Sequence, residues 1–215
     1  MLLSHSFVLL LCSSFVYSKV KIILVGIQKS GTTSYQEWFT AIGLKSAHWQ
    51  VKEGSVGALI FYAKMKNLPL LHYLQDYDAI TELNRSSPIS GRFACYYPQI
   101  SDMEGLYREN PDALFILNTR NIQKQVDSMR RSGNAGNVLR NCIEYLKDNK
   151  TGEPIALDAW ILQHNSKVRK FFEARPEANF VEVALETFNS TVFDKYFDSK
   201  NVPFPICNVT PINNN

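Results

Sequence analysis

We predict an α/β protein with a mainly parallel sheet between two layers of helices. Three observations support this fold class. Short apolar segments alternate with longer amphipathic ones along the 215-residue chain, glycine or polar residues follow the apolar segments, and no repeat or linker divides the sequence. Alternating strands and helices form parallel strands joined by right-handed crossovers, with helices on both faces of the sheet. A chain of this length is typical of one domain.

The individual elements follow from the spacing of apolar residues. Short apolar runs bounded by glycine, proline or charge are typical of buried strands, and apolar positions three or four residues apart are typical of helices. The predicted strands lie at about 21–25, 45–48, 78–82, 113–118 and 179–184. The predicted helices lie at about 32–42, 54–66, 101–109, 121–132, 137–147 and 155–174.

The N-terminal residues 1–18 are predicted to be a signal peptide or a short signal anchor, and residues 19–215 a single domain. The first segment contains no Lys, Arg, Asp or Glu, and its apolar centre has the length of a signal-peptide core. Sequons of the form N-x-[ST] follow at Asn84, Asn149, Asn189 and Asn208. We therefore expect the protein to enter the secretory pathway and to be located in the Golgi lumen or secreted. If the N-terminal segment is not cleaved, it could associate the protein with the membrane. A cytoplasmic location follows if the segment is not a signal.

Composition limits the classes of ligand. The formal net charge of +3 suits an anionic ligand, but no basic run favours nucleic acid, so we expect no nucleic-acid partner. No Cys/His cluster has the spacing of a metal site, so no metal is predicted. Three cysteines lie beyond the leader: Cys95, Cys142 and Cys207. This odd number allows at most one intrachain disulfide, and both a bridge and buried thiols remain open.

The first predicted strand leads into a loop and a helix that have the form of a phosphate cradle. The stretch KIILVGIQKSGTTSYQEWF contains an apolar strand, Gly26, a polar loop and a second glycine at the start of the helix. Glycines allow tight turns, and several N–H groups then point at one anion at the helix N-terminus. The residues predicted to bind it are Lys29, Ser30, Gly31, Thr32, Thr33 and Ser34.

This loop differs from the nucleotide-hydrolase P-loop at one position. In the sequence G-x-x-x-x-G-K-[ST], lysine follows the second glycine directly. Here Thr32 occupies that position, and Lys29 lies two residues before Gly31. The sequence K-x-G-T-T after an apolar strand resembles the 5'-phosphosulfate loop of sulfotransferases that use PAPS (3'-phosphoadenosine 5'-phosphosulfate).

A second motif, an arginine and a serine at a fixed spacing, also resembles the sulfotransferases. Arg120 follows the fourth predicted strand, and Ser128 lies eight residues further on, in the next helix. Sulfotransferases have an arginine and a serine at this spacing that bind the 3'-phosphate of the cofactor, and an arginine fork suits a phosphate. The C-terminal helix, strand and proline-rich end are also similar to one sulfotransferase branch. The resemblance covers roughly residues 20–210 and implies a P-loop-kinase-like, three-layer α/β/α fold with a central five-stranded sheet.

The resemblance implies transfer of a sulfuryl group from PAPS to an acceptor hydroxyl or amine, with PAP (3',5'-bisphosphoadenosine) as the product. Such catalysis depends mainly on positioning and charge stabilisation, and it requires no metal. We assign Lys29 as the cation at the bridging oxygen. The base is either His48 or Glu82, which end the second and third predicted strands. A neutral histidine suits proton abstraction near pH 7, although packing for His48 and an ion pair for Glu82 are alternatives.

Two other functions compete with this one. A P-loop nucleotide or small-molecule kinase is disfavoured because no lysine follows Gly31 and because the fourth predicted strand ends in Arg120 rather than in a magnesium-binding aspartate. A non-catalytic, PAP-binding lumenal protein is disfavoured because Lys29 is present. The acceptor is expected to be a carbohydrate or a small molecule.

Overall fold

The structure is a computed structural model that describes residues 21–89, 92–131, 156–199 and 201–207. The predicted leader, the predicted helix at 137–147 and the sequons at Asn149 and Asn208 lie outside these residues. The described strands are β1 (Ile22–Leu24), β2 (Ser46–His48), β3 (Gln50–Val51), β4 (Gly54–Ser55), β5 (Ala79–Glu82), β6 (Arg85–Ile89), β7 (Arg92–Tyr96), β8 (Leu114–Thr119) and β9 (Phe180–Ala184). The described helices are α1 (Thr32–Ala41), α2 (Val56–Met65), α3 (Pro98–Ser101), α4 (Met103–Glu109), α5 (Ile122–Arg131) and α6 (Leu157–Glu173).

The centre of the fold is a sheet of five parallel strands in the order β2-β5-β1-β8-β9. Strand β1 lies in the middle, with β5 on one side and β8 on the other. Helices surround this sheet, which confirms the predicted three-layer α/β/α architecture with five central strands. The carboxyl ends of all five strands therefore meet at one edge, where open α/β sheets bind their ligands.

Apolar residues cover both faces of the sheet, as is typical of parallel strands. On one face, Ile22 and Leu24 pack with Tyr35 and Trp38 of α1 and with phenylalanines near the C-terminus. On the other, Ile23 and its neighbours pack against α2, α4 and α6. Successive residues of β1 are therefore buried on opposite sides, and this fixes the position at which the loop after β1 begins.

Three local features differ from the sequence-based expectation. Strands β3 and β4 extend the edge beyond β2 in antiparallel orientation, and β6 and β7 form a separate hairpin. The predicted helix at 54–66 begins only at Val56, because Gly54–Ser55 pairs with β3 and the Ser55 hydroxyl caps α2 by accepting from the Ala58 amide at 3.4 Å. The predicted helix at 101–109 is divided into α3 and α4 at Asp102, which has φ −133°.

Candidate active site

Two glycines permit the course of the loop between β1 and α1. A Cβ atom on Gly26 would lie 2.2 Å from the backbone oxygen of Asn118, and the Gly26 amide donates to the Asn118 side chain at 3.0 Å. Gly31 has φ +95°, in the left-handed region, and a Cβ there would lie 2.7 Å from Leu185. Only glycine fits such close approaches without displacing the neighbouring atoms. The loop therefore packs tightly against β8 and against the chain that follows β9.

Two side chains brace the loop from below. Asn118 donates from Nδ2 to the Ser30 hydroxyl at 2.5 Å, and Ser30 in turn donates to the Ile27 carbonyl at 2.6 Å. Gln125 of α5 donates to the carbonyls of Ile27 at 3.3 Å and Gln28 at 3.0 Å. The Ser30 hydroxyl therefore supports the loop, while its amide is the group predicted to face an anion. The sequence-based reasoning missed both braces, although Asn118 stands out as a polar residue near the end of an otherwise apolar strand.

The first turn of α1 presents its amides without a side-chain cap and without an acidic residue. Its hydroxyls have protein partners. Thr32 donates to Glu82 Oε2 at 2.9 Å, the Thr33 hydroxyl lies 3.4 Å from His48 Nε2, and the Ser34 hydroxyl accepts from the Cys207 amide at 3.0 Å. An anion at this turn therefore meets an uncapped helix N-terminus, and donation from the Thr32 hydroxyl requires it to release Glu82.

Lys29 lies in the bend of the loop with a left-handed backbone, φ +68°. Such a conformation costs a residue other than glycine about 1–3 kcal/mol and persists only where the surroundings hold it. Arg120 contributes to that support, because it donates from Nη1 to the Lys29 carbonyl at 3.1 Å. The Lys29 charge also lowers the pKa of His48, so its ammonium group acts on the same site.

The hydrogen bonds of His48 define its tautomer. Thr81 donates its one hydroxyl proton to the Ala47 carbonyl at 3.2 Å, so the same oxygen accepts from His48 Nδ1, 3.0 Å away. We therefore assign the ring proton to Nδ1, which leaves a lone pair on Nε2. Nε2 faces the Thr33 hydroxyl and lies 3.8 Å from Glu82 Oε2. This geometry suits a proton acceptor at Nε2.

The electrostatic surroundings keep this histidine neutral. Burial lowers the pKa of His48 below its usual 6.5, the Glu82 carboxylate opposes that change, and Lys29 adds to it. His48 and Glu82 are adjacent because β2 and β5 are neighbours and their Cα atoms are partners in the sheet register. The structure thus brings the three predicted catalytic residues, Lys29, His48 and Glu82, to one place.

The predicted 3'-phosphate residues lie on the other side of β1. Arg120 follows β8, and its Nε atom is enclosed without a hydrogen-bond partner. Ser128 is buried on α5. Among the described residues, no hydrogen bond joins these two side chains, and their joint role stays a prediction. An enclosed guanidinium donor without a partner indicates that this position suits an oxyanion.

Other polar and aromatic residues near the loop have structural partners. His164 on α6 donates to the Val25 carbonyl at 2.7 Å, and burial lowers its pKa to about 4. Tyr97 accepts from the Gln28 side chain at 3.0 Å and packs edge-on against Trp160. These contacts hold the loop from the α6 side.

Several general features bear on the sequence-based expectations. In the part of the chain that the structure describes, no group of three or more His, Cys, Asp or Glu side chains could hold a metal ion, and no helix is long and apolar enough to cross a membrane. Cys95 is disulfide-bonded and Cys207 is free, whereas Cys142 lies outside the described residues. Asn84 is only 3% exposed, so the folded chain does not offer this sequon to a glycosylating enzyme.

Comparison with known families identifies the domain. A family model described as a sulfotransferase domain matches residues 21–191, which include the loop, both strand ends with His48 and Glu82, and the Arg120 and Ser128 pair. No curated protein matches the chain. The family match covers most of the sequence, and the chain belongs to the sulfotransferase domain family. It is therefore a transferase domain of the kind that moves sulfuryl groups.

Proposed function

We propose that this protein transfers the sulfuryl group of PAPS to an acceptor hydroxyl or amine on a carbohydrate or small molecule. The observation that carries the proposal is the grouping of Lys29, His48 and Glu82 around the uncapped first turn of α1, with Arg120 beyond it. A cation, a neutral base and an uncapped helix N-terminus are groups that suit sulfuryl transfer. The loop lacks the lysine of a nucleotide-hydrolase P-loop, which favours a phosphosulfate over a nucleoside triphosphate.

The donor side is supported by two anion positions at different strand ends. The loop after β1 offers amides and Lys29 to a 5'-phosphosulfate, and the unpartnered Nε of Arg120 after β8 suits a 3'-phosphate. Adjacent strands lie about 4.8 Å apart, so one bisphosphorylated nucleotide can reach both positions. Ser128 on α5 is proposed as the second ligand of the 3'-phosphate.

On this proposal, PAPS supplies a sulfuryl group attached to a stable phosphate leaving group. His48 Nε2 takes the proton of the acceptor hydroxyl while the acceptor oxygen bonds to sulfur and the bond from sulfur to the phosphate oxygen breaks. Lys29 neutralises the charge that develops on that phosphate oxygen. Glu82, 3.8 Å from Nε2, stabilises the imidazolium that forms.

An exposed tryptophan beside the base supports a ring-shaped acceptor. Trp49 directly follows His48, forms the one-residue turn between β2 and β3, and is 53% exposed. Its φ of +46° is an outlier for a bulky residue, and such strain is concentrated at functional sites. An indole held outward here can stack on a sugar ring. The other two tryptophans, Trp38 and Trp160, are buried, so acrylamide quenching of fluorescence reports on Trp49 and should decrease when a PAP complex binds a glycan.

The location in the secretory pathway is part of the proposal. The disulfide at Cys95 supports an oxidising compartment, because such bonds are rare in reducing ones. Expression of the full chain in secretory cells, with an assay for N-terminal cleavage and for N-glycans, tests it. Cytosolic recovery of an uncleaved, unglycosylated chain would refute it.

The direct test of function is transfer of labelled sulfate from PAPS across carbohydrate, phenol, amine and peptide acceptors. Label should reach at least one acceptor class, with Lys29→Ala as the inactive comparison and Lys195→Ala as the matched control for loss of a lysine elsewhere in the chain. Binding of PAP without any transfer would instead support the non-catalytic alternative. Turnover of ATP with magnesium would support the kinase.

A further inference from the structure

The segment after β5 carries a buried cation that the chemistry above does not use. Arg85 begins β6, three residues after Glu82, and is only 7% exposed. Its Nε atom is enclosed without a partner, and no ion pair joins its guanidinium to any other described residue. The group lies 5.9 Å from the ring centre of Phe61 and 5.8 Å from that of Tyr62. Aromatic faces attract a cation without neutralising it, so this charge has no counter-ion among the described residues.

The neighbouring residue has a buried hydrogen-bond acceptor without a partner. Asn84 is almost fully buried, and its Oδ1 atom also lacks a hydrogen-bond partner. Its backbone and that of Arg85 are held by α2, since a Cβ atom on Gly57 would lie 2.5 Å from the Arg85 amide nitrogen and 2.6 Å from the Asn84 carbonyl carbon. Nearly all buried polar groups in proteins are paired. An enclosed donor and an enclosed acceptor on adjacent, fixed residues therefore indicate a ligand that carries both an anion and a hydroxyl or amide.

The strand order places this pair on the acceptor side of the site. Arg120 follows β8, on one side of β1, whereas Glu82 ends β5 and Arg85 follows it, on the other side. The ends of β5 and β8 are about 10 Å apart, because one strand lies between them. Arg85 is therefore separate from the position proposed for the 3'-phosphate. It lies on the same side as His48, where the acceptor must present its hydroxyl.

We propose that the acceptor is acidic, and that Arg85 binds a carboxylate or sulfate ester of the acceptor while Asn84 Oδ1 accepts from a neighbouring hydroxyl or amide. This inference rests on the proposed function, because it names the substrate class of that reaction. A guanidinium fork matches a carboxylate or sulfate oxygen pair. Three extended residues span about 10 Å, so the anionic group and the reacting hydroxyl lie within one short oligosaccharide.

Binding to the PAP complex tests the site without requiring turnover. The probes are a tetrasaccharide that contains glucuronate, the same tetrasaccharide with its carboxyls reduced, and the reduced form bearing sulfate esters. Wild type should bind the first probe about 10–100-fold more tightly than the second, the range expected for a charged hydrogen bond. The third probe shows whether sulfate replaces carboxylate. Arg85→Met should remove this discrimination and leave PAP affinity unchanged.

Arg108→Met is the matched control, because Arg108 on α4 is exposed and the variant loses the same charge. It should retain the full discrimination. If Arg85→Met does not fold, Arg85→Lys serves instead, and it should discriminate less than wild type because lysine lacks the fork. The inference is refuted if wild type binds the charged and neutral probes equally, or if a folded Arg85 variant loses affinity for all three probes by the same factor. Selective binding without transfer of label would refute the proposed function alone.

Discussion

The pH dependence of turnover tests the assignment of His48 as the base. Burial and the Lys29 charge lower the pKa of His48, and the Glu82 charge raises it. A base acts in its deprotonated form, so kcat/KM should rise as the pH increases through a pKa below 6.5 and should be level by about pH 7. Glu82→Gln removes the interaction that raises the pKa. The rise should therefore move to lower pH in this variant.

The size of that shift follows from the 3.8 Å between Glu82 Oε2 and His48 Nε2. Two unit charges at this separation interact by roughly 1 kcal/mol in water and roughly 4 kcal/mol at the effective dielectric of a protein surface. One pKa unit corresponds to about 1.36 kcal/mol. Glu82→Gln should thus lose an interaction of this order and move the rise to lower pH, and the plateau rate should fall less than in His48→Ala. Loss of the base should cost about 10²–10⁴-fold.

The assay is the initial rate of labelled-sulfate transfer at saturating PAPS from about pH 4.5 to 8.5, with PAP affinity measured at each pH as the control for folding. His48→Ala should have a low, flat profile and near-normal PAP affinity. An inactive Glu82→Gln beside an active His48→Ala would transfer the role of base to Glu82. A rise that moves to higher pH in Glu82→Gln would refute the electrostatic reasoning.

Three further outcomes are expected. Lys29→Ala should lower turnover about 10²-fold or more while PAP affinity changes much less, because the cation acts on charge that develops in the transition state. Calorimetry and rate measurements together check this. Equal losses of turnover and PAP affinity would show that Lys29 only binds the ground state. PAP should bind more tightly than ATP, and Arg120→Met should remove that preference in a calorimetric titration; tighter binding of ATP to wild type would contradict the 3'-phosphate assignment. Gly26→Ala should lower the free energy of unfolding by about 3 kcal/mol, because its Cβ would meet the Asn118 oxygen at 2.2 Å. Gly105→Ala in α4 should cost less, since its Cβ would meet only the end of a flexible leucine side chain at 3.0 Å. Denaturant unfolding compares the two variants, and equal losses of stability would refute the close approach at Gly26.

Much of the architecture could be predicted because its signals are local. Strands β1 and β8 are short, mainly apolar runs, and the loop after β1 contains its glycines and its lysine within a few residues. The start of α2 and the short strands β3 and β4 could not be predicted, since two-residue strands carry no periodicity and form only where an edge offers partners. The division between α3 and α4 likewise follows the conformation of one residue, Asp102.

The sequence by itself determined the sulfotransferase-like loop, the succession of strands and helices, and the candidate residues at the strand ends. Only the tertiary structure decided which of these residues meet. The order β2-β5-β1-β8-β9 brings His48 and Glu82 to one side of Lys29 and Arg120 to the other. The tautomer of His48, the hydrogen bond from Asn118 to Ser30 and the burial of the Arg85 Nε atom also depend on contacts between segments far apart in the chain. Such contacts follow from the packing of the whole domain, which no short stretch of sequence specifies.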